Sequence, residues 1–545
     1  MKQLFKALNM IRLCHKKAFY WRIFYVVVMS VLPLLNLYVL KFLVDSVTTG
    51  VPPIFMGIEF DTMTILFVFC AIFLLNRLVS VCNGVNNDIM AQRLQDYVSE
   101  RMQGQSAELD MSYFDNPDYH DTYHRAQQEA GFRPLQVLNG FMSLFGSLIT
   151  LVGIIAMLCT ASPLIIVVMV VAVIPSFIVR IIKSRQIYAF RRNNTQNYRR
   201  TYYYTNLLGG RDYAKEMRTF GLAPHFRKMF VEVRSKLVVR LLRISRRLAV
   251  YDSICAIVET LALFFVTFFL ISSTTSGAIT IGSFVMLFEA FRRGQAQLTS
   301  LVSSITGLYD NRLFVGNLFE FLDLKPAIVN DVDAIPFPEK VNTVEFRDVT
   351  FRYPKMERDV VSHYSLVAKS GEVTLIEGEN GFGKTTLLKL LLRLYEPDQG
   401  MILVNGVDVR HYDLKGLRHG MGAIFQDYVR FYCTVKDNIA FGNIEKEADM
   451  DRVRQAAHLS GADKFIERLP KGYDTPLGRM FDDGEELSMG QWQRIALARQ
   501  LYGDAPVLIF DEPTAWMDVP SRKLFEDTLA QKQQEGKVII LIKHV

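Results

Sequence analysis

The chain has 545 residues and a mass of 62.4 kDa, more than one hydrophobic core usually serves, so two domains are expected. A formal charge of +7 would suit a nucleic-acid binder if the excess cations lined one soluble face. They crowd instead between apolar segments, which argues against that class, and the long apolar runs all fall before about Leu322.

From the N-terminus, Leu4, Phe5, Leu8 and Ile11 recur at helical spacing among Lys2, Lys6, Arg12, Lys16 and Lys17, a pattern expected of a basic amphipathic helix on the inner membrane surface. Six segments then reach the ~20 residues a helix needs to cross a hydrocarbon core: 18–47, 63–81, 141–159, 164–182, 254–271 and 281–301. The links after the first, third and fifth contain no Lys or Arg. The stretch from Arg180 to Arg247 is densely basic, and Arg93, Arg101, Arg125 and Arg133 follow the second span. By the positive-inside rule the two long links, the N-terminus and the C-terminal part are cytoplasmic. The helix-forming composition of the long links predicts that the spans continue well into the cytosol. Cys14, Cys70, Cys82, Cys159, Cys255 and Cys433 show no CxxC spacing and read as small core hydrophobes.

Charged residues near spans are costly and default to functional candidates. Glu259 in the fifth span and Glu289, Arg292 and Arg293 in the sixth are therefore candidate cargo contacts. Lys41 and Asp45, four apart, are expected to pair with each other, and Arg77 to snorkel to the headgroups.

After Leu322 a Pro- and Asp-rich stretch reads as a linker, giving a membrane domain at 1–325, a linker at 326–342 and a second domain at 343–545. An expected strand at 372–377 runs into Gly378-Glu379-Asn380-Gly381-Phe382-Gly383-Lys384-Thr385-Thr386 and then an apolar helix. This is GxxxxGK followed by Thr in the strand–loop–helix context of a phosphate-binding loop, where backbone N–H groups converge on phosphates at a helix N-terminus. Lys384 is expected on the β/γ-phosphates of ATP and the Thr385 hydroxyl on Mg²⁺. A second apolar strand, 507–510, ends in Asp511 and Glu512, placed to hold the metal and to polarise an attacking water. The fold class expected is a six-helix membrane domain plus an α/β phosphate-loop NTPase domain.

Between these motifs, Leu487-Ser488-Met489-Gly490-Gln491 resembles the LSGGQ signature of ATP-binding cassette (ABC) proteins, with Met489 replacing the first glycine. The resemblance implies that Ser488, Gly490 and Gln491 contact ATP held by another chain. It further implies an adenine-stacking role for Tyr353, a Mg²⁺-sensing role for Gln426, a D-loop aspartate at Asp518 and a γ-phosphate switch histidine at His544. Tyr113 to Pro117 with Tyr123 to Ala126, and Arg211 to Arg218, resemble the two coupling segments of type I ABC exporters. The segments 425–443 and 318–324 are most similar to half-transporters of the lantibiotic and related peptide exporters.

On this resemblance the chain is an exporter half that works as a dimer, with itself or with a paralogous half-transporter, in a bacterial cytoplasmic membrane. The cargo is a peptide, lipid or hydrophobic compound. A nucleotide-binding but transport-inactive half, acting as a sensor or needing a different partner, is the alternative. The ~17 residues before the first span are too few for a Cys/His peptidase domain, and Cys14-His15 are sequence neighbours, not a catalytic arrangement. Since Val545 follows the switch histidine at once, an edge of the cassette sheet is expected to lie uncovered.

Overall fold

The computed structural model describes residues 2–50, 54–55, 58–116, 123, 133–354, 356–378, 383–480, 483–514 and 517–544. It divides into two compact units, one comprising Met1–Ser106 and Asp121–Asp323, the other Ala107–His120 and Leu324–Val545.

The first unit is helical: α1 (Lys2–Cys14), α2 (Lys16–Thr49), α3 (Thr62–Glu108), α5 (Arg133–Cys159), α6 (Pro163–Asn193), α7 (Thr195–Gly209), α8 (Ala214–Thr219), α9 (Ala223–Thr275) and α10 (Ile281–Leu322), with α4 (Met111–Phe114) in the segment that joins the other unit. Among the described residues five helices, α2, α3, α5, α6 and α9, are long and apolar enough to cross a membrane. The sixth expected span lies in α10, a 42-residue helix whose early turns carry Glu289, Arg292 and Arg293 and so fall short on composition. Leu37, Ile154, Leu158, Met169, Leu270 and Phe291 form the shared core of these helices. Phe67, Val152, Phe264 and Phe268 point outward, an apolar exterior suited to lipid.

Two expectations are corrected. The apolar residues of α1 face two ways: Leu4 and Ile11, with Ala7 and Met10, are buried where α1 packs on α5 and α10, whereas Phe5 is exposed. Protein therefore covers the face of α1 that carries Leu4 and Ile11, and Lys6 pairs with Asp323 at 2.8 Å. Asp45 is not engaged with Lys41 in the expected pair. Its carboxylate accepts from the Gly282 N–H (2.8 Å) and the Thr280 hydroxyl (2.9 Å), capping the N-terminus of α10. Glycine is required there because a Cβ on Gly282 would sit 2.3 Å from the Lys41 carbonyl oxygen.

The second unit carries two sheets. One is antiparallel, in the order β4 (Val361–Lys369), β3 (Thr343–Phe351), β6 (Gln399–Val404), β7 (Val407–Asp408); here β1 and β2 denote the short hairpin strands Ile54–Phe55 and Ile58–Glu59 of the first unit. The other is parallel, in the order β5 (Val373–Gly378), β10 (Val538–His544), β9 (Val507–Asp511), β8 (Met421–Ile424). The buried apolar runs of β9 and β10 are what a parallel sheet covered on both faces requires. The last strand is thus internal, and among the described residues the sheet ends on β5 at one edge and β8 at the other. Helices α11 (Lys384–Leu391), α12 (Leu414–His419), α13 (Val435–Ala440), α14 (Met450–Leu459), α15 (Asp463–Ile466), α16 (Met489–Gly503) and α17 (Val519–Gln534) complete it.

A polar clamp fixes α13 against α16. Asn438, fully buried, donates to the carbonyls of Phe431, Cys433 and Thr434 at 2.9–3.3 Å. Arg499 on α16 donates to the Asn438 carbonyl (2.9 Å) and side-chain oxygen (3.0 Å) and stacks over Phe431. Burial pushes the Arg499 guanidinium down to about 10. A cation taken out of water this far depends on its acceptors.

We expect Asn438→Ala to lower cassette stability by about 3 kcal/mol, since it strands three carbonyls and part of the Arg499 guanidinium. Urea titration of tryptophan fluorescence reads this through Trp492, buried on the same helix as Arg499. Asp45→Ala is expected to cost about 1 kcal/mol, with Asn retaining most of it, as measured by thermal unfolding in lipid nanodiscs. Equal stability of Asp45→Ala and wild type would remove the cap from the fold's supports.

Candidate functional site

The parallel sheet places the site. Strand β10 pairs on one side with β5, His544 opposite Gly378, and on the other with β9, Ile542 opposite Asp511. The carboxyl ends of three neighbouring strands therefore meet, which is where ligands bind in such sheets. Gly383 enters α11 with φ +79°, and a Cβ there would lie 2.7 Å from the Val360 carbonyl oxygen, so only glycine fits. Glu379, Asn380, Gly381 and Phe382 lie outside the described residues. So does the side chain of His544, whose backbone ends β10.

Lys384 is buried, and its ammonium donates to the Gly378 carbonyl (2.5 Å) and the Lys543 carbonyl (3.5 Å). It is thereby held at the mouth of the phosphate loop. The Thr385 hydroxyl donates to Asp511 at 2.8 Å, and Asp511 is buried. The Gln426 amide donates to Glu512 at 2.9 Å. Glu512 itself adopts φ +49°, the left-handed region disfavoured for a side chain of this size, and its N–H bonds the Ile542 carbonyl at 3.2 Å. A strained acid at the end of a buried strand is the kind of cost that persists at a working site. Sequence reasoning assigns Thr385, Gln426, Asp511 and Glu512 to one site, and these two hydrogen bonds join them in pairs. Their oxygens, all hard donors, fit Mg²⁺.

The Tyr353 hydroxyl shares a hydrogen bond with Thr386 (3.1 Å), and its ring lies edge-on to Phe351 and Tyr395 with the Lys389 ammonium 5.4 Å from its centre. Thr386 is buried in the first turn of α11.

Ser488 caps α16. Its hydroxyl accepts from the Gln491 N–H (3.3 Å), and the Gln491 side chain accepts from the Ser488 N–H (2.8 Å), a complete capping box. Gly490 occupies the first turn of this 15-residue helix, so the exposed signature turn presents a helix N-terminus, a ready anion site. Met489 accepts twice: its carbonyl from the Tyr428 hydroxyl (3.0 Å), its sulfur from Arg430 (2.8 Å). Neither Tyr428 nor Arg430 stands out in the sequence, because a tether between loops has no local pattern. Asp518 caps α17, accepting from the Ser521 N–H at 3.1 Å, and its hydrogen bonds to Ser521 hold its carboxyl below the usual range.

The first coupling-like segment divides between the units: residues 113–116 fall in the cassette unit, whereas Tyr123 falls in the helical unit, its ring 5.4 Å from that of Phe321. Asp110 accepts from the Ala327 and Ile328 N–H groups, the Tyr113 hydroxyl donates to the Lys325 carbonyl (3.0 Å), and Asp115 accepts from the Tyr395 hydroxyl. Burial and the neighbouring carboxylate raise the Tyr395 phenol above its ordinary range. Pro117 and residues 124–126 of that motif lie outside the described residues. In the second motif, Ala214–Thr219 forms α8, with Tyr213 and Phe220 exposed at its ends.

The four charged residues read as cargo contacts divide in two. Glu289 pairs with Arg292 at 2.9 Å and Arg293 at 3.8 Å, one and the same cluster on α10. Glu259 accepts instead from the Ser176 hydroxyl at 2.6 Å.

Comparison with known proteins agrees with this geometry. The ABC transporter family model matches residues 361–515. The subtilin transport ATP-binding protein SpaT of Bacillus subtilis is 27% identical over 100% of this chain and 88% of its own length. The nisin transport ATP-binding protein NisT of Lactococcus lactis subsp. lactis is 23% identical over 94% of this chain and 84% of its own. An ATP-dependent lipid A-core flippase of Vibrio cholerae is 33% identical over 58% of this chain and 53% of its own. The solved structure of a bacterial Atm1-family ABC exporter with ATP bound superposes with a TM-score of 0.74 at 20% identity, over 100% of this chain and 91% of that one. Residues 361–515 thus carry an ABC transporter ATPase domain, and the chain shares with the exporters it resembles a fused organisation, a domain of long apolar helices followed by that cassette domain.

Proposed function

We propose that two chains, identical or paralogous, hold two Mg·ATP head to tail and use their closure and hydrolysis to export a cargo from the bacterial cytoplasm, with the cassettes on the cytoplasmic side. The observation that carries the reading is the pairing of Gln426 with Glu512 beside that of Thr385 with Asp511. One pair is arranged for water, the other for metal. Lys384 neutralises the β/γ-phosphates, Tyr353 stacks on adenine, and His544 contacts the γ-phosphate. Thr385, Asp511 and Gln426 would hold Mg²⁺, which would supply charge neutralisation on the phosphates. Glu512 orients the attacking water and accepts its proton.

Ser488, Gly490 and Gln491, at a helix N-terminus, engage the phosphates held by the opposite chain, with the Asp518 loop beside them. The drive is the differential affinity of ATP for the closed pair. Covalent continuity would carry it onward: residues 110–116 group with the cassette unit and follow directly on α3. Full-length similarity to the subtilin and nisin transport proteins favours a peptide among the candidate cargoes.

In nanodiscs, Glu512→Gln is expected to reduce phosphate release by about 100-fold or more while ATP binding persists. Lys384→Ala should weaken ATP binding itself by about tenfold. Wild-type chain that binds ATP without turnover, alone and at high concentration, would overturn the homodimeric form and favour a half that requires a different partner.

A further inference from the structure

A cavity of about 540 Å³ opens in the membrane unit between α6, α9 and α10, within the range of ligand pockets. One stripe from each helix lines it. On α6 these are Ser176, Arg180 and Ser184, each four residues on, so about 6 Å apart along the axis. The two serines each meet a carboxylate on a neighbouring helix, and the cation Arg180 lies between them in the stripe. Ser176 donates to Glu259 of α9 (2.6 Å), Arg180 donates to the Ser303 hydroxyl of α10, and Ser184 donates to Asp310 of α10 (2.6 Å).

A ladder of anion, cation, anion thus climbs the wall, and among the described residues no ion pair links its members. Hydroxyls hold each charged group in place without cancelling its charge. Lys183 and Asp252 at the same wall do pair, at 3.2 Å, and neutralise each other. Arg133, also at the wall, is engaged with Asn311 and Gln136. Charges kept uncancelled near a membrane are expensive and mark pathways.

We propose that this cavity receives an extended polypeptide segment in which an acidic residue is flanked two positions away on each side by basic residues. Alternate residues of an extended chain are about 6.6 Å apart on one face, close to the ~6 Å rise between Ser176, Arg180 and Ser184, the α6 side chains that hold or carry the three charges. Glu259 and Asp310 take the basic groups, and Arg180 takes the acid. The inference rests on the export reading above and names the chemistry of its cargo.

The test uses the full-length, nucleotide-free chain in nanodiscs and three labelled heptapeptides read by fluorescence anisotropy. The first is Ser-Lys-Ser-Glu-Ser-Lys-Ser; the second replaces its Glu by Gln, the third both Lys by Gln. The first is expected to bind about tenfold tighter than either of the others. Arg180→Gln should weaken the first about tenfold and leave the second unchanged, and Glu259→Gln or Asp310→Asn should weaken the first but not the third.

Equal weakening of all three peptides by each substitution would mean a structural role and overturn the proposal. Failure of every peptide to bind at millimolar concentration would overturn it too, as would displacement by phosphocholine without regard to peptide charge, which would assign the cavity to a lipid headgroup. Phosphate release by the same preparation, lost in Glu512→Gln, reports the ATPase reading independently of these outcomes.

Discussion

The register of three parallel strands governs the nucleotide end of this molecule. Strand β10 lies between β5 and β9 with Ile542 opposite Asp511 and His544 opposite Gly378. Only that alignment ends the phosphate loop, the acidic pair and the last strand at one level. Lys384 then reaches the carbonyls of Gly378 and Lys543 together, and the Ile542 carbonyl receives the Glu512 N–H. A slip of one residue would turn β10's side chains to opposite faces, and since both faces are buried each would meet a packing site shaped for a different neighbour. Burial of Val538, Ile539, Ile540 and Ile542 on both faces therefore enforces the chemistry at the strand ends.

The signature turn depends on a different constraint. A capping box can place Ser488, but it does not hold α16 to the rest of the cassette. That task falls to Arg499 and Asn438, which tie α16 to the loop following Gln426, and to Tyr428 and Arg430, which reach back to Met489. The presence of Met in place of the first signature glycine thus has a visible use: its sulfur and carbonyl anchor the turn. A glycine would keep the carbonyl contact and lose the other.

Legibility in the sequence follows locality. The phosphate loop, the Asp511–Glu512 pair and the Ser488 turn are readable because each is a short run whose chemistry needs fixed neighbours. The apolar helices are readable from composition, although α10 hides its span behind Glu289, Arg292 and Arg293. Asn438, Arg499, Tyr395 and Asp115 are not readable, since their partners lie 61 residues apart in one case and 280 in the other. The same reason explains the misread pair: Lys41 and Asp45 are neighbours on a helix, but Asp45 satisfies the N–H of Gly282, which is 237 positions away. An unfilled donor at a helix start attracts a carboxylate more firmly than a flexible lysine four residues away does.

Charge within the membrane unit shows how such competition separates structure from function. Glu289 has two arginines within one turn, so its own charge is met locally, and the cluster carries one positive charge in excess. Glu259 and Asp310 have serines instead. A hydroxyl orients a carboxylate and removes part of its desolvation cost, but leaves its net charge in surroundings where Coulomb forces are poorly screened. A group so held gains more from a mobile counter-charge than one already paired. The distinction between Glu289 and Glu259 therefore lies in the partner each fold element supplies, a property that neither residue's position along its own helix reveals.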